Sequence, residues 1–431
     1  MYLLYNLLLL FAAGLLVPIY LLRGYRYGKS RRGIRERLGY LSAAQVQQLA
    51  VRKIIWIHAV SVGETRAAEP LLRELRRAYP EHLLLLTNVT ETGHAMGLEN
   101  PHVDCCLFFP FDFSWTVRRI LQRLKPELVV IVETEIWPNF VHEAHKLGVP
   151  LVLVNGRLSD RSYPRYRCFR ALLRPVLQSF SAFCMQSQLD AERICQLGAE
   201  SDRVENTGNL KFDHQLRAVS AAELCAFKVR YRLANQLPVW VAGSTHAGEE
   251  VLLLQTYRRL LAQGCKLQFI VIPRHPERGR ELLALLKELQ LDGCLRSELT
   301  ADSLPLASGQ VLIIDTLGEV LDVYAVADLV FVGGSLVPVG GHNLLEAALV
   351  GKPVLFGPHV HNFREISAKL VAAGAGIQIQ DQAQLEQQCA LLLADPTKCH
   401  AMGQAGRALI ADNAGATERS MRRIVPYVRD R

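Results

Sequence analysis

Residues 54–86 carry the sequence IIWIHAVSVGETRAAEPLLRELRRAYPEHLLLL, and this stretch decides the class of fold. The apolar runs at 54–57 and 83–86 have the length of strands, and the segment 67–77 between them has the spacing of an amphipathic helix. A strand, a helix and a strand in this order predict a βαβ unit with parallel strands. The stretch therefore favours an α/β protein built on a parallel sheet.

The alternation of strand-length and helix-length segments continues along the chain and then begins again. In the first half it predicts a helix at 115–124 and strands at 128–132, 151–154 and 182–184. A second series follows a polar stretch near residues 213–237, and its predicted strands are 239–242, 268–272, 311–314, 329–332 and 353–356. A chain of 431 residues can bury two such cores. We therefore expect two similar α/β domains facing a cleft, at residues 46–215 and 216–410.

Cysteine and histidine spacing gives no sign of a disulfide framework or a metal site. The ten cysteines include no C-x-x-C pair, and the histidines form no H-E-x-x-H motif. Neither half has a G-x-G-x-x-G motif after its first strand, which disfavours a nicotinamide or flavin cofactor. We expect a reducing compartment, no structural metal and no cofactor.

The N-terminal segment is apolar and is followed by a basic one. Residues 1–22 contain no charged side chain and are long enough for a helix to cross a bilayer. We predict a membrane anchor that either spans the bilayer or lies in its interface, although a buried core helix also fits this sequence. The segment 23–45 supplies six of the eight net positive charges. Its basic residues up to position 37 are Arg23, Arg26, Lys29, Arg31, Arg32, Arg35 and Arg37, opposed there by Glu36 alone.

The position of this charge suggests what it contacts. Next to an apolar segment, it favours anionic lipid headgroups, and the positive-inside rule then places the rest of the chain in the cytoplasm. Because the remainder of the chain is near neutral, we expect no nucleic-acid partner.

The loop after the first predicted strand contains a candidate base. Ser61 and Gly63 are small enough for a tight turn, and Glu64 comes near the start of the following helix. A carboxylate in this position can accept a proton from a substrate hydroxyl. It can equally serve only to complement the helix dipole.

Two carboxylates follow the strand at 128–132. Glu133 and Glu135 would point the same way on an extended chain. Like charges so close raise one pKa unless a cation lies nearby, and Lys211 is the candidate cation. Two solvated glutamates that cap a helix are the alternative.

The most informative loop of the second half runs from Gly333 to Ala347. Its glycines allow backbone N–H groups to approach a ligand, and a short helix predicted to begin near Asn343 and to stop before Gly351 aims its positive end at them. We predict a phosphate site here, with Glu346 able to accept hydrogen bonds from ribose hydroxyls. A purely structural loop is the alternative. Three further loops are expected beside it, at 243–246, 273–276 and 315–319.

These motifs together resemble those of the 3-deoxy-D-manno-octulosonic acid (Kdo) transferases, GT-B glycosyltransferases that attach Kdo to lipid A precursors. The similarity runs from the N-terminal segment to about residue 365. It is carried by SVGE with Glu64, ETEIWP with Glu133, GNLKFD with Lys211, PRHPE with Arg274, and GGHNLLE with Asn343 and Glu346. From the rest of the chain only one expectation follows, a C-terminal helix at 411–431 that packs back on the first domain.

The resemblance implies an inverting, metal-independent transfer from the co-substrate CMP-Kdo to lipid IVA, an anionic lipid, on the cytoplasmic face of the bacterial inner membrane. It implies that Glu64 is the base, and that Glu133 and Lys211 position or stabilise the transition state. The implied CMP site consists of Pro273, Arg274, Leu317, Gly318, Glu319, Asn343, Leu344, Leu345 and Glu346. Further candidates are Ser61, Gly63, Ser244, Thr245, His246, Gly341 and His342. Because CMP is a good leaving group, one base suffices.

Two other functions remain open at the level of sequence. A sugar-nucleotide epimerase can share the two-domain build and also needs carboxylates, but it does not need a membrane anchor. A membrane-bound scaffold would use the basic segment to recruit acidic partners, but it leaves Glu64 and the glycine loops unexplained.

Overall fold

The computed structural model describes residues 2, 5–15, 33–49, 52–160, 162–214, 218–234, 237–300 and 302–428. The chain divides into two compact units, unit 1 (Met1–Asp213 with Asn413–Arg431) and unit 2 (His214–Asp412). The prediction instead placed the boundary between residues 215 and 216, began the returning segment at 411 and kept residues 1–45 apart from the first domain. Residues 16–32, which belong to the predicted anchor and basic segment, lie outside the described residues.

Unit 1 is built on a parallel sheet with strand order β3-β2-β1-β4-β5-β6-β7. Before the sheet come α1 (residues 5–15), α2 (Ile34–Arg37) and α3 (Ala43–Leu49). The strands are β1 (Ile54–His58), β2 (Leu83–Asn88), β3 (Cys105–Phe108), β4 (Leu128–Val132), β5 (Leu151–Gly156), β6 (Ala182–Met185) and β7 (Val204–Asn206). The helices are α4 (Val62–Ala78), α5 (Glu91–Leu98), α6 (Ser114–Leu124), α7 (Pro138–Lys146), α8 (Tyr163–Cys168), α9 (Arg170–Leu177) and α10 (Gln188–Leu197).

The central strands of unit 1 are buried along their whole length. Every residue of β1, β2 and β4 is buried, as expected for a parallel sheet covered on both faces. This explains the unbroken apolar runs, and the predicted strands of this unit are confirmed. β1 extends one residue further than predicted, so His58 lies in the strand, where burial lowers its pKa to about 3.

Unit 2 repeats the design with strand order β10-β11-β9-β8-β12-β13-β14, again with parallel pairing. Its strands are β8 (Val239–Thr245), β9 (Gln268–Pro273), β10 (Asp292–Leu295), β11 (Gln310–Ile313), β12 (Leu329–Val332), β13 (Val354–Phe356) and β14 (Gly376–Gln378). Its helices are α11 (Ala221–Arg230), α12 (Glu249–Ala262), α13 (Gly279–Glu288), α14 (Val320–Val326), α15 (Leu345–Leu349), α16 (Arg364–Ala372), α17 (Gln382–Leu393) and α18 (Pro396–Asn413). The short strands β3, β7, β10 and β14 were not predicted.

The last helix, α19 (Ala416–Ile424), belongs to unit 1. Asp213 caps it, because its carboxylate accepts hydrogen bonds from the backbone N–H groups of residues 415–417. An aspartate is favourable there, since those groups lack partners within the helix. Farther along, the hydroxyl of Tyr427 donates to the carbonyl oxygen of Ser181 at 2.9 Å. Through these contacts, C-terminal residues pack against parts of unit 1 that are distant in sequence.

In each sheet, the chain adds strands on one side of its first strand and then continues on the other side. β1 lies between β2 and β4, and β8 lies between β9 and β12. In open α/β sheets, ligands bind beyond the C-terminal ends of the strands at such a switch point. Glu64 lies in the first turn of the helix that follows β1, and Glu133 lies in the loop after β4. The loops after β8 and β12 contain His246 and Gly334. Each unit therefore carries its candidate residues at its own switch point.

No helix within the described residues combines the length and apolar character needed to cross a bilayer. The membrane anchor predicted at residues 1–22 is therefore not confirmed.

Candidate active site

Glu64 lies in the first turn of α4, just beyond the C-terminal end of β1. Its Oε2 accepts a hydrogen bond from the backbone N–H of Val60 at 2.5 Å, and its Oε1 accepts one from the hydroxyl of Ser61 at 3.2 Å. Gly63, in the same turn, is exposed. The carboxylate is thus held against its own loop.

The surroundings of Glu64 disfavour its ionised form. Its pKa is raised to about 8, first by burial and then by the negative charges of Glu133 and Glu135. The hydrogen bonds from Val60 and Ser61 oppose this shift because they stabilise the carboxylate. If the only role of this side chain were to interact with the helix dipole, its ionised form would be the stabilising one. A carboxylate with a pKa near neutral or above is instead suited to exchange a proton with a substrate.

Asn88, which sequence reasoning missed, fixes the loop before Glu64 and the start of the helix that carries it. It ends β2, and its Nδ2 donates to the carbonyl oxygen of Ala59 at 2.7 Å and to the hydroxyl oxygen of Thr65 at 2.9 Å. The hydroxyl of Thr65 in turn donates to the carbonyl oxygen of Ser61 at 2.9 Å. A polar side chain that ends an otherwise apolar strand was the available signal.

Glu133 follows β4 with a φ of 60°, in the left-handed region. The expectation that Glu133 and Glu135 share one side of an extended chain is therefore wrong at Glu133. The turn is held by Thr134, whose Oγ1 accepts the backbone N–H of Arg157 at 2.9 Å and donates to its carbonyl oxygen. The Nζ of Lys211 lies 3.3 Å from the Oε1 of Glu133, so Lys211 is the cation beside this pair.

Two asparagines hold the backbone around Lys211. The Oδ1 of Asn155, at the end of β5, accepts the N–H of Leu210 at 3.0 Å. The Oδ1 of Asn209 accepts the N–H of Lys211 itself at 3.0 Å. The Lys211 side chain is only 18% exposed. Its ammonium group is therefore directed to Glu133 by the backbone as well as by charge.

Glu135 is the third carboxylate of this region. Its pKa is raised to about 7, first by burial and then by the charge of Glu133. Glu64, Glu133, Glu135 and Lys211 thus place three acids and one ammonium group together. Such coupled groups are typical of sites that move a proton.

In unit 2, Glu249 organises the loops at the switch point, and sequence reasoning missed it. This side chain is fully buried in the first turn of α12. Its carboxylate accepts backbone N–H groups from His246 at 2.9 Å, Gly334 at 2.6 Å, Ser335 at 3.3 Å and Leu336 at 3.2 Å. One carboxylate therefore ties the loop after β8 to the loop after β12.

A second acid, Glu250, supports the neighbouring loops. It accepts the hydroxyl of Thr245 at 2.8 Å and both terminal nitrogens of Arg278, each at 2.8 Å. The carbonyl oxygen of Thr245 accepts the N–H of Arg274 at 2.9 Å, which brings the predicted CMP-binding arginine to the end of β8. Ser244, beside them, has a φ of 57°.

The two predicted histidines of unit 2 are in contact. The Nε2 atoms of His246 and His342 lie 2.7 Å apart. Gly341, the residue before His342, donates its N–H to the carbonyl oxygen of Gly334 at 2.8 Å. Among the residues that the structure describes, no three or more His, Cys, Asp or Glu side chains are grouped so that they could hold a metal ion.

The short helix predicted between Asn343 and Gly351 is present as α15, which begins at Leu345. Helix α15 has only five residues, so its dipole is small. The Nδ2 of Asn343 donates to the Oε1 of Glu346 at 3.4 Å, and these two side chains hold each other. The side chains of Leu344 and Leu345 are buried, so only their backbone is available to a ligand.

The remaining predicted residues lie at the ends of β9 and β11. Pro273 is the last residue of β9. Leu317 is 83% exposed, and Gly318 has a φ of 85° with open space around it. The carboxylate of Glu319 accepts the hydroxyl of Thr316 and lies 3.5 Å from Arg296. The charge of Glu319 is thus balanced by Arg296, which directly follows β10.

Comparison with known proteins assigns this arrangement to a family. A family model described as 3-deoxy-D-manno-octulosonic-acid transferase (kdotransferase) matches residues 32–214. The 3-deoxy-D-manno-octulosonic acid transferase of Haemophilus influenzae is 32% identical over 427 residues, which are 98% of each chain. The chain belongs to the Kdo transferase family. The resemblance seen in the motifs is therefore confirmed over nearly the whole length.

Solved structures show that the fold of this Kdo transferase family member is shared more widely. A glycosyltransferase from Rickettsia africae is 11% identical with a TM-score of 0.58, covering 88% of this chain and 98% of that one. A UDP-GlcNAc 2-epimerase from Neisseria meningitidis, bound to UDP-GlcNAc, is 14% identical with a TM-score of 0.58, covering 87% and 100%. At such identities the similarity concerns the fold alone. Two parallel-sheet α/β units, as in GT-B glycosyltransferases, are thus confirmed, and the family favours a transferase over an epimerase.

Proposed function

We propose that this protein transfers Kdo from CMP-Kdo to a hydroxyl of lipid IVA, with inversion and without a metal ion, and that Glu64 is the base. The observation that carries the proposal is a partly buried carboxylate with a raised pKa at the switch point of unit 1, in a member of the Kdo transferase family. Unit 2 supplies the loops that hold the donor.

In the proposed step, the acceptor oxygen attacks the anomeric carbon of Kdo as the bond from that carbon to the phosphate oxygen breaks on the opposite face. The hydroxyl proton passes to Glu64, and CMP leaves with the bonding electrons. One in-line displacement of this kind inverts the configuration. Because phosphate is a good leaving group, a single base is sufficient.

The Lys211–Glu133 pair supports the metal-independent form of the proposal. Lys211 lies 3.3 Å from Glu133, in the region where Glu64 is to gain its proton. A fixed ammonium group can stabilise charge that develops in a transition state without reorganising.

A mass measurement tests the proposal. Purified protein is incubated with CMP-Kdo and the tetraacylated disaccharide lipid, with and without a chelator, and the lipid product is weighed by mass spectrometry. We expect a gain of one or more Kdo units in both samples. No gain in either sample contradicts the proposed reaction, while a gain that disappears with the chelator contradicts only its metal independence.

The pH dependence of transfer provides a prediction for Glu135. Replacing Glu135 by glutamine removes a negative charge that raises the pKa of Glu64, so that pKa falls. Since the base must be ionised to accept a proton, the ascending limb of log kcat/KM against pH should move to lower pH, by less than about one unit. The exposed Glu99→Gln is the matched control and should leave the limb in place. A limb that stays in place or moves to higher pH in Glu135→Gln argues against Glu64 as the titrating base.

We further propose that α1 lies in the interface of an anionic membrane. One side of the helix is docked on unit 1: the Tyr5 hydroxyl donates to Asp112 at 3.0 Å, and the Nδ2 of Asn6 donates to Ser114 at 3.0 Å. The opposite side carries exposed apolar side chains, Leu7, Leu8, Phe11 and Leu15. Nearby on α6, Trp115 and the basic side chains Arg118, Arg119 and Arg123 line a shallow depression of about 480 Å³. An apolar stripe with basic neighbours is typical of interfacial helices.

This membrane proposal predicts the effect of charges on the apolar side of α1. Leu7 and Phe11 are 56% and 69% exposed, so aspartate at both positions disturbs little packing but puts charge where lipid is expected. We expect the double variant to bind anionic vesicles at least about tenfold more weakly in sedimentation, since each apolar side chain is worth about 1.5 kcal/mol or more on burial. Leu98→Asp, at an equally exposed leucine of α5, is the control and should bind as wild type. Equal binding by the double variant would refute this role of α1.

A further inference from the structure

Two of the histidines of unit 2, His246 and His342, are joined by a nitrogen-to-nitrogen hydrogen bond. The rings of His246 and His342 are parallel within 2°, with their centroids 5.0 Å apart and their Nε2 atoms 2.7 Å apart. Because the nitrogens are much closer than the centroids, the rings meet edge to edge. A hydrogen bond between two imidazole nitrogens requires that one donates and the other accepts. The pair therefore shares one proton in its contact.

Backbone contacts position the two histidine rings. Glu249 accepts N–H groups from His246 and from Gly334. The carbonyl oxygen of Gly334 accepts the N–H of Gly341, next to His342, so one buried carboxylate holds the backbone near both rings. Gly334 has a φ of 65°, and a Cβ there would lie 3.0 Å from the His342 ring and 3.4 Å from that of His246. The space that the two rings occupy thus depends on a glycine.

Burial and the charges around His246 determine how readily this side chain takes up a proton. The pKa of His246 is lowered, first by burial and then by His275 and Arg274, while Glu250 raises it and Arg278 lowers it. Arg278 is already engaged by Glu250 and Glu281. The carboxylate of Glu249 accepts hydrogen bonds from backbone N–H groups. A proton on His246 beyond its neutral form is therefore disfavoured until negative charge arrives, and an arriving oxyanion reverses that balance.

We propose that His246 and His342 act as one proton-sharing pair that binds an oxyanion of the donor and takes up a proton as it does so. The inference rests on the proposed use of CMP-Kdo. The oxyanion is either the phosphate of the nucleotide or the carboxylate of the sugar, which share the same chemistry. The proton comes from the solvent, and the resulting imidazolium donates a charge-assisted hydrogen bond to the anion.

Calorimetric titration tests the pair directly. CMP is titrated into the full-length protein, above neutral pH, in two buffers of different ionisation enthalpy. We expect an uptake of about one proton per CMP bound, and an affinity that weakens as pH rises. In His342→Gln and in His246→Gln the uptake should be lost, and CMP should bind about 10- to 100-fold more weakly, the effect of losing a hydrogen bond to a charged group. His400→Gln, on the exposed side of α18, is the matched control and should keep both properties.

Two further ligands distinguish the sources of the oxyanion. Cytidine, which lacks the phosphate, should bind without proton uptake if the phosphate is the ligand. Uptake with free Kdo, and none with CMP, assigns the pair to the carboxylate. Binding of CMP and of Kdo without uptake in the wild-type protein overturns the inference. So does a His342→Gln variant that takes up protons as the wild type does.

The outcome is separable from that of the proposed function. If Kdo transfer proceeds while no proton is taken up with either ligand, the pair is not what we infer, and the transferase proposal stands. If the protein binds neither CMP nor CMP-Kdo and transfers nothing, the transferase proposal fails. A zinc titration gives one more check, because stoichiometric Zn²⁺ binding that is lost in His342→Gln would assign the pair to a metal and overturn the inference.

Discussion

Glutamine in place of Glu64 is expected to lower kcat for Kdo transfer about 100- to 10,000-fold while CMP-Kdo still binds. The amide keeps the shape of the side chain but cannot accept the acceptor's proton. The loss should appear in kcat, measured with saturating substrates, while calorimetry or fluorescence should give an affinity for CMP-Kdo close to that of wild type. Glu69→Gln, an exposed position on the same helix, is the control and should retain full turnover.

A stability measurement separates this effect from damage to the fold. Folding raises the pKa of Glu64 from 4.5 to about 8. The protonated form therefore stabilises the native state below pH 4.5, and this contribution is lost as pH rises through about 8. Because glutamine never ionises, Glu64→Gln should melt at a higher temperature than wild type at alkaline pH. Substantial turnover in a well-folded Glu64→Gln variant would show that another group is the base.

Methionine in place of Lys211 is expected to lower kcat by about 100- to 1,000-fold, the usual effect of removing one charged group that stabilises a transition state. It also leaves Glu133 without its ammonium partner at 3.3 Å. The negative charge felt by Glu64 then increases and raises its pKa, so the ascending limb of the pH–rate profile should move to higher pH.

The comparison with two other lysine variants makes the Lys211 prediction specific. Lys211→Arg should recover part of the activity, because it restores the charge with a different shape. Lys146→Met removes a lysine that pairs with Glu143 on α7, and it should change neither kcat nor the pH profile. A Lys211→Met enzyme with the turnover and pH limb of wild type would exclude the proposed role of the ion pair.

Most of the fold was predictable because its strands are buried on both faces. β4, β12 and the first four residues of β1 are unbroken apolar runs, and such runs bounded by turn residues carry a strong signal. The strands β7 and β10 have only three and four residues, and only the last residue of β10 is buried, so they lack that signal. They are strands because a neighbour pairs with them, which a local pattern does not reveal.

The candidate site was predictable where its residues lie in a short, recognisable sequence motif. Glu64 and Lys211 stand in short segments whose residue types suggest chemistry. Glu249 lies in the first turn of an ordinary amphipathic helix, where nothing in the local sequence marks it. It accepts hydrogen bonds from backbone N–H groups of a loop that begins 84 residues later in the chain, at Gly333. The left-handed backbone at Glu133 is likewise fixed by Thr134 and Arg157, which meet only in the folded protein.

The return of α19 to unit 1 imposes an order on biosynthesis. Ala416 and Ile424 belong to the same buried cluster as β1 and α4 residues, although a whole second unit separates them in the chain. On the ribosome, the continuous segment His214–Asp412 emerges before the residues that complete the N-terminal core. Domains commonly fold in the order of their synthesis, N-terminal first. Here the core of the N-terminal unit is completed last, so a nascent chain stalled before α19 leaves exposed the apolar residues that α19 covers, a surface that chaperones and proteases can recognise.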